Sequence, residues 1–126
     1  MPRFRRALDR HGSRLRERIF RPEELAYAAR KRRPWHNLAA RFAAKCAGRR
    51  ALRSLYANAA PIGLIDLEVV RRRSGEPLLS WRPPVAPGPE RPGPEDLRLL
   101  VSLTHDPEFA LATVWVELLD RATLRP

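Results

Sequence analysis

The sequence predicts an α+β fold, with N-terminal helices packed on a small antiparallel sheet. From Phe4 to Leu52 the apolar residues recur three and four apart, the helical period. From Ile65 onward they alternate with polar residues, the period of a half-buried strand. Helices first and strands afterwards define the α+β class. The 126 residues suit one domain, 1–126. A chain this short buries only about two-thirds of its unfolded surface, so a multimer that buries more would help it.

The first helix is expected over residues 3–18, its apolar side formed by Phe4, Ala7, Leu8, Leu15 and Ile19, with Gly12 positioned to break it in two. Its polar side carries Arg10, Arg14 and Arg18, four apart and so on one face if the helix is continuous. Pro22-Glu23-Glu24-Leu25 reads as a helix start, with proline in the first turn and acids where the helix dipole favours them. This helix should run to Lys31 or Arg32 and be stopped by Pro34. Residues 36–52 form the clearest helix, with Leu38, Phe42, Lys45, Arg49 and Leu52 at helical spacing and Ala39, Ala40, Ala43, Ala44 and Ala47 for close packing. Residues 54–63 are irregular. Ile65 to Val70 and Pro77 to Trp81 should pair as a hairpin across the turn at 71–75. The proline-rich stretch 82–96 reads as an extended loop. Leu97 to Leu103 and Phe109 to Leu119 read as two more strands, and 120–126 as a frayed tail.

The formal net charge is +11, with a pI near 11.5. A field of that sign favours an acidic partner: nucleic acid, anionic lipid or an acidic protein. Nearly all the cations are Arg, Lys occurring only at 31 and 45. Arg suits bidentate contacts to phosphate or carboxylate, although a GC-rich coding sequence produces the same bias. No aromatic-basic motif of the common nucleic-acid-binding kinds is present. The single cysteine, Cys46, excludes an intramolecular disulfide and suits a reducing compartment. No apolar run approaches the ~20 residues of a membrane span, and no apolar core follows the basic N-terminus as in a signal peptide. The expectation is a cytoplasmic protein, without membrane or nucleic-acid partners.

Two motifs carry chemistry. Arg41, Lys45 and Arg49 form a row of cations at four-residue spacing, with Arg50 beside it. Such a row either holds phosphate or is a solvated helix face. Ser102-Leu103-Thr104-His105-Asp106 closes a strand, either aiming polar groups into a cleft or forming a turn capped by Thr104 and Asp106.

Taken together and in order, Arg18-Ile19-Phe20, Pro22-Glu23-Glu24-Leu25-Ala26-Tyr27, Leu38-Ala39-Ala40-Arg41-Phe42-Ala43-Ala44-Lys45, Asp66-Leu67-Glu68-Val69 and Val101-Ser102-Leu103-Thr104-His105-Asp106 resemble the holo-acyl-carrier-protein synthases of the 4′-phosphopantetheinyl transferase superfamily. The resemblance covers roughly residues 3–118. It implies a magnesium-dependent transfer of 4′-phosphopantetheine from coenzyme A to a serine of apo acyl carrier protein, and a homotrimer with active sites between subunits. It also implies that Lys45 and His105 are the catalytic positions. Arg41, Lys45, Arg50, Ser102, Thr104 and His105 would contact coenzyme A, and Arg10, Arg14 and Arg18 would dock the acidic carrier.

The chain departs from the family where the metal binds. Relatives carry Glu directly after the motif lysine, and here that position is Cys46. A thiol is a poor ligand for magnesium, which wants oxygen. The Gly-x-Asp strand that supplies the other carboxylate is also lacking, because Met1-Pro2-Arg3-Phe4 matches the segment just after it. A misplaced start codon and a true loss explain this equally well. No metal ligand is therefore assigned. The alternative function is a family member that binds carrier protein or coenzyme A without turnover.

Overall fold

A computed structural model describes residues 2–55, 62–84, 93–106 and 108–119, excepting the side chains of Pro2 and His105. The fold class is as expected: three helices precede four strands. Helix α1 spans Pro2–Ile19, α2 Pro22–Ala29 and α3 Pro34–Arg53. Strands β1, Leu67–Arg71, and β2, Pro77–Trp81, form one antiparallel hairpin. Strands β3, Leu97–His105, and β4, Ala110–Leu118, form a second. The expected single small sheet is thus two two-stranded sheets side by side.

Several boundaries differ from expectation for identifiable reasons. Gly12 adopts φ 62°, ψ −147°, a conformation open almost only to glycine, and the axis of α1 kinks there. Arg10 therefore belongs to one half-helix and Arg14 with Arg18 to the other, so the expected single row is two. Pro34 does not terminate a helix but opens α3, where its missing N–H costs nothing; α2 has already ended at Ala29. Ile65 and Asp66, expected at the start of a strand, lie instead in a 3-10 turn, Leu64–Asp66, in which Asp66 accepts the Gly63 N–H at 3.0 Å. Within the proline-rich stretch, Pro94–Asp96 form a similar turn. The tail 120–126 lies outside the described residues.

Helix α3 is the spine. Its inner face packs on β1, β3 and β4 through a core of Ala44, Leu52, Ile62, Leu67, Val69, Leu79, Trp81, Leu97 and Leu99. Gly48 lets it come close, since a Cβ there would stand 2.7 Å from Leu79 Cδ2. A second core, of Leu8, Ile19, Phe20, Ala28 and Leu38, joins α1 and α2 to the start of α3.

Candidate functional site

Helix α3 turns its cations inward at one end. Arg41 is only 4% exposed. Its Nε donates to Asn37 Oδ1 one turn back, at 2.8 Å, and its Nη1 to the carbonyl of Val69 in β1. The guanidinium also lies over the Tyr27 ring, 4.6 Å from its centroid. Burial pulls the Arg41 pKa below its ordinary value, while the carboxylate of Glu24 opposes the shift. Arg41 and Thr104 line one cleft, of about 280 Å³, with Asn37, Ala40, Arg71 and Leu103. Two residues expected in one site from motifs sixty positions apart are thus brought together.

Lys45 is placed otherwise than expected. It has no solvent exposure. Its Nζ lies 2.5 Å from Glu24 Oε1 and donates to the carbonyls of Ile19, at 2.8 Å, Leu67 and, at 3.4 Å, Leu64. A lysine with its donors so engaged holds three segments against α3; nothing of it reaches the cleft. The reason is steric: a four-residue step on a packed helix puts Arg41 and Lys45 on the same buried side, and the polar heads then need internal partners. Burial lowers the Lys45 pKa, with Glu24 opposing. Lys45, expected in one cation row with Arg41 and Arg49, is thus enclosed by protein in this subunit.

Arg50 sits nine residues beyond Arg41, about half a turn out of phase, and is exposed on the other side of α3. It shares that side with Cys46. Burial raises the Cys46 pKa, and the charges of Arg49 and Arg50 only partly offset this, so the thiol is protonated at neutral pH. Such a group does not fit magnesium. Among the described residues no group of three His, Cys, Asp or Glu side chains could hold a metal. The chemistry of the residues present thus departs from a magnesium site.

Ser102 and Thr104 are exposed, two apart on the outer face of β3, opposite Thr113 and Leu111. His105 closes β3 opposite Ala110, and its side chain is outside the described residues. Asp106 caps the turn that follows: its Oδ1 accepts the N–H groups of Glu108, at 2.7 Å, and Phe109, at 2.8 Å. Arg10, Arg14 and Arg18 are all exposed.

Sequence reasoning missed Asn37, Arg71, Glu24 and Tyr27. Asn37 could have been found, since it precedes Arg41 by one helical turn. Arg71 could not, because a strand-end arginine before a turn looks like any solvated charge. Tyr27 is ringed by cations. Burial raises its pKa, but a hydrogen bond from Lys31 and the charges of Arg71, Lys31 and Arg41 outweigh that and lower it overall. Two of those cations, Arg41 and Arg71, also line the cleft.

Residues 1–114 match the model of the 4′-phosphopantetheinyl transferase superfamily. The chain is 34% identical over 115 residues to a holo-[acyl-carrier-protein] synthase of Solibacter usitatus, covering 91% of this chain and 89% of the relative. A synthase of Methylobacterium radiotolerans is 38% identical over 122 residues, with 93% and 86% covered. Among solved structures, an ACPS–CoA complex named for Chronobacterium ammoniagenes superposes with a TM-score of 0.73 at 27% identity, over 94% of this chain and 91% of that one. With this fold, the Arg41–Thr104 cleft and these relatives, the chain belongs to the 4′-phosphopantetheinyl transferase superfamily, as a holo-acyl-carrier-protein synthase.

Proposed function

We propose that the chain binds coenzyme A through the Arg41–Thr104 cleft and transfers its 4′-phosphopantetheine to a serine of apo acyl carrier protein. The observation that carries this reading is the cleft itself, where Arg41 and Arg71 face Asn37 and Thr104. Two guanidiniums and two neutral polar groups suit a phosphate ester better than a neutral ligand. In the transfer, the serine oxygen bonds to the β-phosphorus, the bond from that phosphorus to the pyrophosphate bridge breaks, and adenosine 3′,5′-bisphosphate leaves. Arg41, locked by Asn37 and Val69, holds the anion without reorganising, and Thr104 adds a hydroxyl. Ser102 and His105, at the end of the same strand, extend the nucleotide contacts. Lys45 acts from beneath by holding α3. Exposed Arg10, Arg14 and Arg18 receive the acidic carrier.

Arg50 and Cys46 lie on the side of α3 away from Arg41, so one chain does not wrap a coenzyme A from both sides. A trimer in which the cleft of one subunit faces the Cys46 side of the next would, and the exposed apolar residues of the β3–β4 outer face supply a surface for it. We assign the protein to the cytoplasm and to acyl-chain synthesis on this reading.

Incubation of apo carrier protein with coenzyme A and magnesium should add the mass of one phosphopantetheine group; no gain in mass, at any metal concentration, rejects the transfer. Cys46 favours one second reading, binding without turnover. In that case wild type binds coenzyme A and leaves the carrier unmodified, while Cys46→Glu restores an oxygen ligand and produces holo carrier.

A further inference from the structure

The geometry points to Glu24 as a positioning residue for the cleft: with Arg41 it holds both the N–H and the C=O of Val69 and so sets β1, and with it Arg71, against α3. This assignment rests on the cleft being the coenzyme A site.

Glu24 is 2% exposed, on a helix of only eight residues. Its Oε1 accepts from Lys45 Nζ at 2.5 Å and from the Arg21 N–H at 3.0 Å, and its Oε2 accepts the Val69 N–H at 3.1 Å. The carbonyl of the same Val69 accepts from Arg41 Nη1. One residue of β1 is therefore held at N–H by a buried anion and at C=O by a buried cation. A charged partner makes each of these bonds shorter and stronger than a neutral one, so together they hold β1 in one register against the helices. Two residues further along β1 is Arg71, which lines the cleft opposite Arg41. The separation of the two guanidiniums that meet the phosphate is thus set by what happens at Val69.

Glu24 is not needed merely to fill space, since a leucine would do that. Its role in the network is to be an acceptor on three sides at once. Neither the expected family contacts nor the cleft lining includes it, and it touches no ligand itself.

The test is Glu24→Asp, which keeps both buried charges but shortens the reach by one methylene, so that the carboxylate cannot meet Lys45 and Val69 together. Coenzyme A binding is measured by titration calorimetry on folded protein, alongside wild type. The positioning role gives at least a tenfold weaker Kd for coenzyme A. Where transfer is measurable, KM for coenzyme A rises more than kcat falls, while KM for the carrier is unchanged. A merely structural role lowers the active fraction and leaves Kd as it was. If Glu24→Asp does not fold, the charge-neutral pair Glu24→Gln with Lys45→Met takes its place and is read the same way, because enclosed Lys45 touches no ligand. Wild-type affinity in the variant overturns the assignment of Glu24 alone. Wild type that fails to bind coenzyme A overturns the transferase reading and this assignment with it.

Discussion

Cys46 and Lys45 are neighbours in the chain with opposite fates. Lys45 enters the core, where Glu24 and three carbonyls replace its water, whereas Cys46 stays at the half-buried edge of α3. Because burial outweighs the nearby arginines, the Cys46 thiol titrates above the ordinary thiol range. Its contribution to stability is therefore complete below the unfolded-state pKa of ~8.5 and fades as pH rises through the higher folded value. Alkylation by iodoacetamide at pH 7 should be several-fold slower than for the denatured chain, with a rate midpoint above that of the denatured chain; a midpoint at or below it would show that Arg49 and Arg50 dominate instead. The residues of the site were only partly legible beforehand. Arg41 and Thr104 were found because they lie in recognisable motifs. The burial of Lys45 was not, because a row of cations four apart has the same spacing whether it faces water or a strand. What decides is the presence of Glu24, twenty-one residues away in sequence, and no local pattern announces that pairing.

At the scale of elements, the helical and strand periods located the three α-helices and four strands of the described residues, and the errors fell at their ends. Proline restricts φ wherever it stands, so Pro34 fits the end of one helix and the start of the next equally; which it does depends on how α2 packs. The two-sheet arrangement was also invisible, because alternation specifies a strand's faces and says nothing about which neighbour it pairs with. Helix α3 comes close to the hairpin where Gly48 meets Leu79 and Leu67. Alanine there would gain about 1 kcal/mol of helix propensity and lose a similar amount by pressing on Leu79. Leucine has no such offset: Gly48→Leu should destabilise the domain by about 1–3 kcal/mol, seen as a fall in Tm of several degrees by calorimetry. An unchanged Tm would mean that α3 can lift from the sheet at little cost.

For the whole molecule, the outer face of the β3–β4 sheet presents several exposed apolar side chains among the described residues. Trp115 is 54% exposed and Leu111 64%, with Leu100 opposite Trp115 across the hairpin. Apolar side chains of that size in one face mark a surface meant to be covered. On the proposed trimer, Trp115→Glu should yield a monomer in light scattering at micromolar concentration and abolish measurable transfer, with the circular dichroism of the fold retained; a mass unchanged from wild type would place the subunit contact elsewhere. The same whole-chain view bears on how the protein is made. The charge network at Glu24 draws on Ile19, Arg21, Arg41, Lys45, Leu64, Leu67 and Val69. A ribosome exposes these from the N-terminal end, so all three helices emerge before the strand that completes their binding partners. Until Val69 has cleared the exit tunnel, Glu24 Oε2 and Arg41 Nη1 each lack their Val69 partner, and α2, at eight residues, is too short to hold itself. Translation pausing in that interval would leave a water-filled helical intermediate, open to proteases between Phe20 and Trp35, and its closure would be timed by the synthesis of β1.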